Sequence, residues 1–332
     1  MSPLATSREG EGVQAQYRHV VVGHAERFVR AKFAGQDVSH DWHHLHRVRL
    51  NALRIARSLQ DGDEELPTES SNGEGSSAAT GVGAAAVMGR HVNLLIVELA
   101  ALLHDMCDRK YLPAGASSHP RSYTALAVLS ELWDSLPAPA QGATALSDAE
   151  RETIERIVDC VSWSKDQERR RRREARREKR RALQAERRED ERTRGPESIL
   201  SEEAEEERRR QEEEEEEADV LFQQWEASCP ELWCVSDADR LDAIGSIGIL
   251  RCAAYSAIKN RPLHIFPSNP GSGLGLDKGT DDARAREESC LAHFDDKLLK
   301  IHGDRLYTPL ARREAERRQE VVSFTPHWHS QG

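Results

Sequence analysis

From about Asp166 to Ala218 the chain is almost entirely Arg and Glu, with the run Arg169 to Arg173 in the first half and Glu212 to Glu217 in the second, broken at Gly195-Pro196. A segment with so little to bury cannot form a core, so anything compact in these 332 residues must be assembled from the chain on either side of it. The segment, 166–218, is expected to be disordered or an isolated charged helix held by i, i+4 ion pairs. A protein partner for this arm is the alternative to a merely solvated insertion. Two further interruptions stand apart from the core. Residues 1–12 are polar and without periodicity and are expected to form a disordered tail. Residues 60–89, with Ser70, Ser71, Gly73, Gly75, Ser76, Ser77, Gly81 and Gly83, read as a low-complexity loop between two helices.

Between the interruptions, apolar residues recur at helical spacing. Val20, Val21, Phe28 and Val29 make one stripe, and Leu45, Val48, Ala52, Ile55 and Leu59 a second. The pattern returns at Val92, Leu95, Ile96, Leu99, Leu102 and Leu103, at Leu126, Leu129, Leu132, Trp133 and Leu136, and at Ile154, Ile157, Val158 and Val161. Further helical stretches follow near 236–255, 286–301 and 309–322. No segment alternates with a period of two and no repeat is visible, so the expectation is an all-α, irregular helical bundle. The interruptions fall between helices, which predicts one domain, 13–165 with 219–324, rather than two.

The net charge of -11 argues against general nucleic-acid binding, because a protein that tracks phosphates carries a basic excess on its binding face. Cys107, Cys160, Cys229, Cys234, Cys252 and Cys290 form no C-x-x-C pair, and no signal sequence precedes them. They are expected to be reduced thiols in a soluble cytoplasmic or nuclear protein, not a membrane protein, since no apolar run approaches the roughly 18 to 20 residues that span a bilayer.

Three clusters carry chemistry. In Ser39-His40-Asp41-Trp42-His43-His44-Leu45-His46-Arg47-Val48, residues His40, His44 and Arg47 share one helical face, which can aim a ligand and an anion-binding cation into a common cavity. In the second cluster an apolar helix ends abruptly in His104-Asp105, and both residues are costly there unless paired or metal-bound. One nitrogen and one carboxylate oxygen suit Mn, Fe, Co, Ni or Mg better than a closed structural zinc site. Asp108, about one helical turn beyond Asp105, is placed to handle protons, and Arg109 and Lys110 offer charge for phosphate oxygens. The third cluster is Asp237-Ala238-Asp239-Arg240-Leu241-Asp242-Ala243-Ile244-Gly245-Ser246-Ile247-Gly248. Asp239 and Asp242 are helical neighbours, Asp237 is a candidate cap for this helix, and Gly245 and Gly248 read as mid-helix positions approached by another helix or a ligand.

The ordered set His…His-Asp…Asp resembles the HD superfamily of metal-dependent phosphohydrolases. More narrowly, His-Asp-Trp-x-His-x-x-Arg-Val, Leu-Leu-His-Asp-x-x-Asp-x-Lys, Asp-Ala-Asp-Arg-Leu-Asp-Ala-Ile-Gly and the later His293-Phe294-Asp295-Asp296-Lys297-Leu298-Leu299 are similar to a branch of small single-domain HD hydrolases, some of which split nucleoside triphosphates. The resemblance covers about Tyr17 to Val322 apart from the two insertions. It implies an HD-domain bundle in which His44, His104, Asp105 and Asp239 hold one divalent ion, with Mn(II) favoured and Co(II), Mg(II), Fe(II) or Ni(II) as alternatives. Asp108 matches an acidic residue that some members use beside the metal. One ion is expected rather than two, because dinuclear members have extra histidines between the His-Asp pair and the last Asp, where this chain has only His119. Catalytic roles then fall to Asp108, Lys110 and Arg47, and substrate contacts to His40, Asp242 and Arg251. The implied substrate is a small phosphorylated compound, a nucleotide, with pyrophosphate released from a (deoxy)nucleoside triphosphate. The competing readings are a 5'-nucleotidase or other phosphomonoesterase on the same scaffold, and a non-catalytic nucleotide sensor whose charged arm recruits a partner.

Overall fold

A computed structural model describes residues 3–61, 91–107, 124–193, 202–264 and 289–324. All regular structure among them is helical, with no strand, so the fold is all-α. The chain divides into two compact units, residues 1–161 with 230–332 and residues 162–229.

In the larger unit the helices are α1 (Pro3–Lys32), α2 (Trp42–Asp61), α3 (Leu94–Leu103), α4 (Ala125–Ser135) and α5 (Asp148–Cys160). The smaller unit holds α6 (Trp163–Thr193) and α7 (Glu202–Ser228). The larger unit then resumes with α8 (Pro230–Asp242), α9 (Gly245–Ile258), α10 (Cys290–Asp296), two short 3-10 turns and α11 (Pro309–Phe324).

At the centre of the larger unit α2, α3 and α8 pack against one another. Helix α3 is apolar on every side, and Leu95 to Leu103 are accordingly buried on every side. It starts where the Asn93 side chain accepts the otherwise unpaired amides of Leu95 and Ile96, at 3.0 and 3.4 Å. Its one charge, Glu98, is buried only because two guanidiniums meet it: Arg49 through Nη2 at 2.6 Å and Arg18 at 3.2 Å. Helix α2 turns His44, Leu45, Val48, Ala52, Ile55 and Leu59 inward, a stripe of helical period, and leaves Leu50 in solvent. Helices α1 and α5 cover α3, α4 lies on α5, and α11 packs on α8 and α9. Val20 and Leu126, read as stripe residues, are exposed; the buried neighbours are Val21, one residue later in the first case, and Ala125 and Leu129 in the second.

The stretch expected to be one helix over 236–255 is broken at Ala243-Ile244, and α8 meets α9 at 70°. Gly245 sits at this corner with φ +72°, a left-handed conformation that only glycine adopts without strain, so it is not the mid-helix residue the sequence implied. At Gly248 a Cβ would lie 2.2 Å from the Ala243 carbonyl oxygen, so the close approach comes from the corner's own backbone and not from a second helix or a ligand. Asp237 also differs from its expected role. It lies well inside α8, and its carboxylate accepts from the amides of Tyr307 and Thr308 and from the Thr308 hydroxyl, at 2.7 to 3.0 Å, at the start of α11.

Helix α1 begins at Pro3, so the tail 1–12 expected to be disordered is helical from that residue on. Proline is tolerated in a first helical turn, and extending a helix already fixed by its packed portion costs far less than nucleating one. The low-complexity loop 60–89 lies outside the described residues beyond Asp61.

The charged segment is a pair of helices rather than a disordered stretch or a single isolated helix. Arg173 Nε meets Asp219 Oδ1 at 3.0 Å and Arg180 Nη1 meets Glu216 Oε1 at 2.7 Å across the pair. Arg169 stacks over Phe222, 4.9 Å from the ring centre. Within α6, Glu168 and Arg172 pair at 2.8 Å in i, i+4 register. The unit reaches past 166–218 at both ends, to 162 and 229, and beyond 218 Phe222 and Trp225 of its second helix pack on each other. Each exposed ion pair contributes about 0.2–1 kcal/mol and is weakened by salt. Deleting 166–226 and joining the ends with a short flexible linker is therefore expected to shift the melting temperature of the remainder by less than about 4 °C, the scale of ~1 kcal/mol in a domain of this size. A drop of tens of degrees in a calorimetric scan would show that the larger unit depends on the arm.

Candidate metal centre

The three central helices each bring ligating groups to one place. His44 lies in the first turn of α2, where Asp41 Oδ1 accepts its backbone amide at 3.1 Å and so shapes the helix start. His104 and Asp105 occupy the turn that ends α3, and Asp239 projects from α8. His44 Nε2 is 3.4 Å from Asp105 Oδ2 and 3.6 Å from Asp239 Oδ1; His104 Nε2 is 3.5 Å from Asp105 Oδ1 and 3.7 Å from Asp239 Oδ1. Ligating atoms of His44, His104 and Asp239 all fall within 4.8 Å of one another.

These separations are too long for good hydrogen bonds, and His44 Nε2, His104 Nε2 and Asp105 Oδ2 are buried without a partner. Buried polar atoms are almost always satisfied, because leaving one bare costs about 1–3 kcal/mol. Two such imidazole nitrogens close to the Asp239 carboxylate, with the Asp105 carboxylate beside them, fit a divalent cation. The imidazoles are sealed at 1% side-chain exposure while Asp105 and Asp239 keep 11% and 18%, so the cluster is open on its carboxylate side.

Both imidazoles are oriented for this. His44 Nδ1–H donates to Asp242 Oδ2 at 2.7 Å, and His104 Nδ1–H donates to the Ala101 carbonyl at 2.9 Å. Each bond fixes the tautomer that leaves Nε2 with its lone pair toward the cluster. Burial acts to lower the His104 pKa, yet the Asp105 and Asp239 carboxylates carry it up to about 9. Burial acts to raise both carboxyls, and the imidazoles hold them well below the usual carboxylate range.

Asp242, read from sequence as a substrate contact, is buried and faces the other way. Besides His44 it accepts Arg47 Nε at 2.8 Å, Arg47 Nη2 at 3.0 Å and Arg251 Nη1 at 3.0 Å. Burial would raise its pKa, and the hydrogen bonds from His44 and Arg47, with Arg251 nearby, pull it far down. Arg47 and Arg251, the cations assigned to phosphate and substrate, are therefore bonded to Asp242, and Arg251 Nε also bonds the Ser39 carbonyl at 2.7 Å. Asp239 and Asp242, one turn apart on α8, thus flank the same imidazole from its two nitrogens, an arrangement for which the i, i+3 spacing was the sequence signal. His40 stands beside the centre, its ring 5.9 Å from that of His44 and 5.8 Å from that of Tyr255. Asp108, Arg109, Lys110 and His119 lie outside the described residues.

No family model matches the chain. Over 88 residues it is 38% identical to the uncharacterized protein YpgQ of Bacillus subtilis, a stretch that makes up 26% of this chain and 33% of that relative. The match thus spans a third of the relative's length. Among solved structures the chain is similar to Bacillus subtilis YpgQ in complex with ADP, with TM-score 0.44, 18% identity and coverage of 92% and 93% of the two chains. It is also similar to the Lin1889 protein of Listeria innocua, with TM-score 0.44, 19% identity and coverage of 93% and 92%. An HD-superfamily hydrolase from Bacillus thuringiensis shows TM-score 0.43, 19% identity and coverage of 95% and 100%. Among the described residues no single helix is long and apolar enough to cross a membrane.

Proposed function

We propose that the chain is a divalent-metal-dependent phosphohydrolase of the HD type that acts on nucleotides and releases pyrophosphate from a nucleoside or deoxynucleoside triphosphate. The observation that carries this reading is the pair of buried, unpartnered Nε2 atoms of His44 and His104 facing the carboxylates of Asp105 and Asp239. His44, His104, Asp105 and Asp239 hold one ion, for which a mixed nitrogen and oxygen donor set favours Mn(II) over structural zinc. A bound ion of this kind supplies Lewis acidity toward a phosphoryl oxygen and an activated water.

The chain's own residues position the site and balance its charge. Asp242 aims the His44 imidazole and is itself neutralised by Arg47 and Arg251, so no net negative charge from it opposes an incoming polyphosphate. Arg47 spends two of its N–H groups on Asp242 and remains a third exposed, which leaves it N–H capacity for a phosphate oxygen. His40 is adjacent to the centre and offers a substrate contact. Asp108 as the proton-handling carboxylate, and Lys110 as a phosphate cation, rest on the sequence motif alone. The choice of the α–β phosphate bond likewise comes from the family resemblance.

Incubation of the protein with Mn(II), and in parallel with Co(II) or Mg(II), is expected to convert triphosphates to monophosphates and pyrophosphate, resolved by anion-exchange chromatography. If triphosphates persist while monophosphates lose phosphate to give nucleosides, the nucleotidase reading replaces this one. Metal binding without turnover of any nucleotide would leave a sensor.

A further inference from the structure

Among the described residues, one group of reactive side chains lies apart from the metal centre. Cys252 on α9 and Cys290 at the start of α10 place their sulfur atoms 3.6 Å apart, and both residues are buried, at 7% and 4% exposure. The Cys252 thiol also lies 3.6 Å from the Cys290 carbonyl oxygen. The Ser256 hydroxyl hydrogen-bonds this pair, and the Lys297 ammonium acts on Cys252. The two cysteines are 38 residues apart along the chain.

We propose that Cys252 and Cys290 form a redox-active dithiol, a modification site that closes to an intrachain disulfide when the protein meets hydrogen peroxide or a small-molecule disulfide. The sulfurs must approach by about 1.5 Å to reach bonding distance, a displacement that side-chain rotation supplies. The two thiols are unequal. With Cys252 as the donor, its hydrogen bond lowers the Cys290 pKa, burial works against it, and a further bond from Ser256 assists, which favours Cys290 as the attacking thiolate. With peroxide, the Cys290 sulfur takes one oxygen, giving a sulfenic acid and one water. The Cys252 thiol then attacks that sulfur and expels the second water. Two thiols and one peroxide thus become one disulfide and two waters, with the sulfurs oxidised by two electrons in total and the peroxide reduced by two. Peroxide is small enough to reach a thiol of a few per cent exposure. The bond ties α10 to α9 at the residue next to Arg251, which braces Asp242 behind His44.

The test is peptide mapping of the full-length protein after peroxide treatment and alkylation of the remaining thiols under denaturing conditions. The expected result is a linked Cys252–Cys290 peptide pair, lighter by two hydrogens than the free peptides and resolved by dithiothreitol. The oxidised protein should melt higher than the reduced one by roughly 5 °C or more, since the bond closes a long loop, and Cys252→Ser should remove that difference. If both cysteines are recovered alkylated while other thiols of the protein have been oxidised, or if the linked pairs involve Cys107, Cys160, Cys229 or Cys234, the proposal fails. Mapping of the unmutated protein decides this even where a serine variant does not fold.

Discussion

Replacing His104 or Asp239 by Ala is expected to abolish bound divalent metal and to cut turnover by well over about 100-fold. Loss of a group that only orients a ligand already costs about 10- to 100-fold in metal affinity or activity, and in the proposed site these residues would supply ligand atoms directly. His104 has no substitute, because its Nδ1 is committed to the Ala101 carbonyl and its Nε2 is the atom that faces the carboxylates. Asp239 is the one group that lies between both imidazoles from the α8 side, within 3.7 Å of each. Its removal also leaves Asp105 as the sole carboxylate in the cluster of four. Metal content by plasma emission spectrometry and activity on a nucleotide panel measure the two effects, with far-ultraviolet circular dichroism as the control for folding. Variants that retain one ion per chain would sink the assignment of these side chains. So would an unmutated protein that carries no divalent metal under any loading condition and whose activity ignores chelators.

What the sequence made legible is what depends on short spacing. The apolar run ending in His104-Asp105 signals a buried helix with an unexplained polar end, because burial and its cost are local properties of ten consecutive residues. The same locality made the all-α class readable from apolar periodicity. Roles that depend on partners far along the chain were not legible. The sequence places Arg47 and Arg251 as phosphate and substrate cations, but that both also bond Asp242 appears only when α2, α8 and α9 are assembled, across 195 residues in the first case. Asp237 looks like a cap for its own helix but serves α11, some 70 residues on. Gly245 and Gly248 were read as sites of close approach by another helix or a ligand; at Gly245 the neighbour is indeed Arg318 of α11, whereas at Gly248 it is the chain's own corner at Ala243, which apolar periodicity on both sides conceals. The charged arm misled in another way. Composition alone excludes a core, but it does not show that an Arg-rich helix and a Glu-rich helix will pair through Arg173, Asp219, Arg180 and Glu216.

Asp242→Asn is expected to weaken metal binding by about 10-fold or more while leaving much of the turnover at saturating metal, and Asp242→Ala to weaken it toward about 100-fold. The carboxylate touches no ligand position of the cluster; it acts through the His44 imidazole, whose Nδ1–H it accepts at 2.7 Å. In the Asn variant the oxygen can still accept that proton, so the ring orientation is partly kept. The negative charge that makes His44 a better donor is lost, and the guanidiniums of Arg47 and Arg251 are left beside a neutral amide. Uncompensated positive charge next to a cation site opposes the cation, an effect softened at Arg47, which is a third exposed, and less so at Arg251, where the exposure is 12%. With Ala the ring also loses its orienting acceptor. A titration of Mn(II) followed by calorimetry, with turnover measured across the same metal range, separates the outcomes. A positioning role raises the metal concentration needed for half-maximal activity more than it lowers the maximal rate. A substrate-binding role, as first read from the sequence, would instead raise the nucleotide KM with metal affinity unchanged, and that result would return Asp242 to the substrate side of the site.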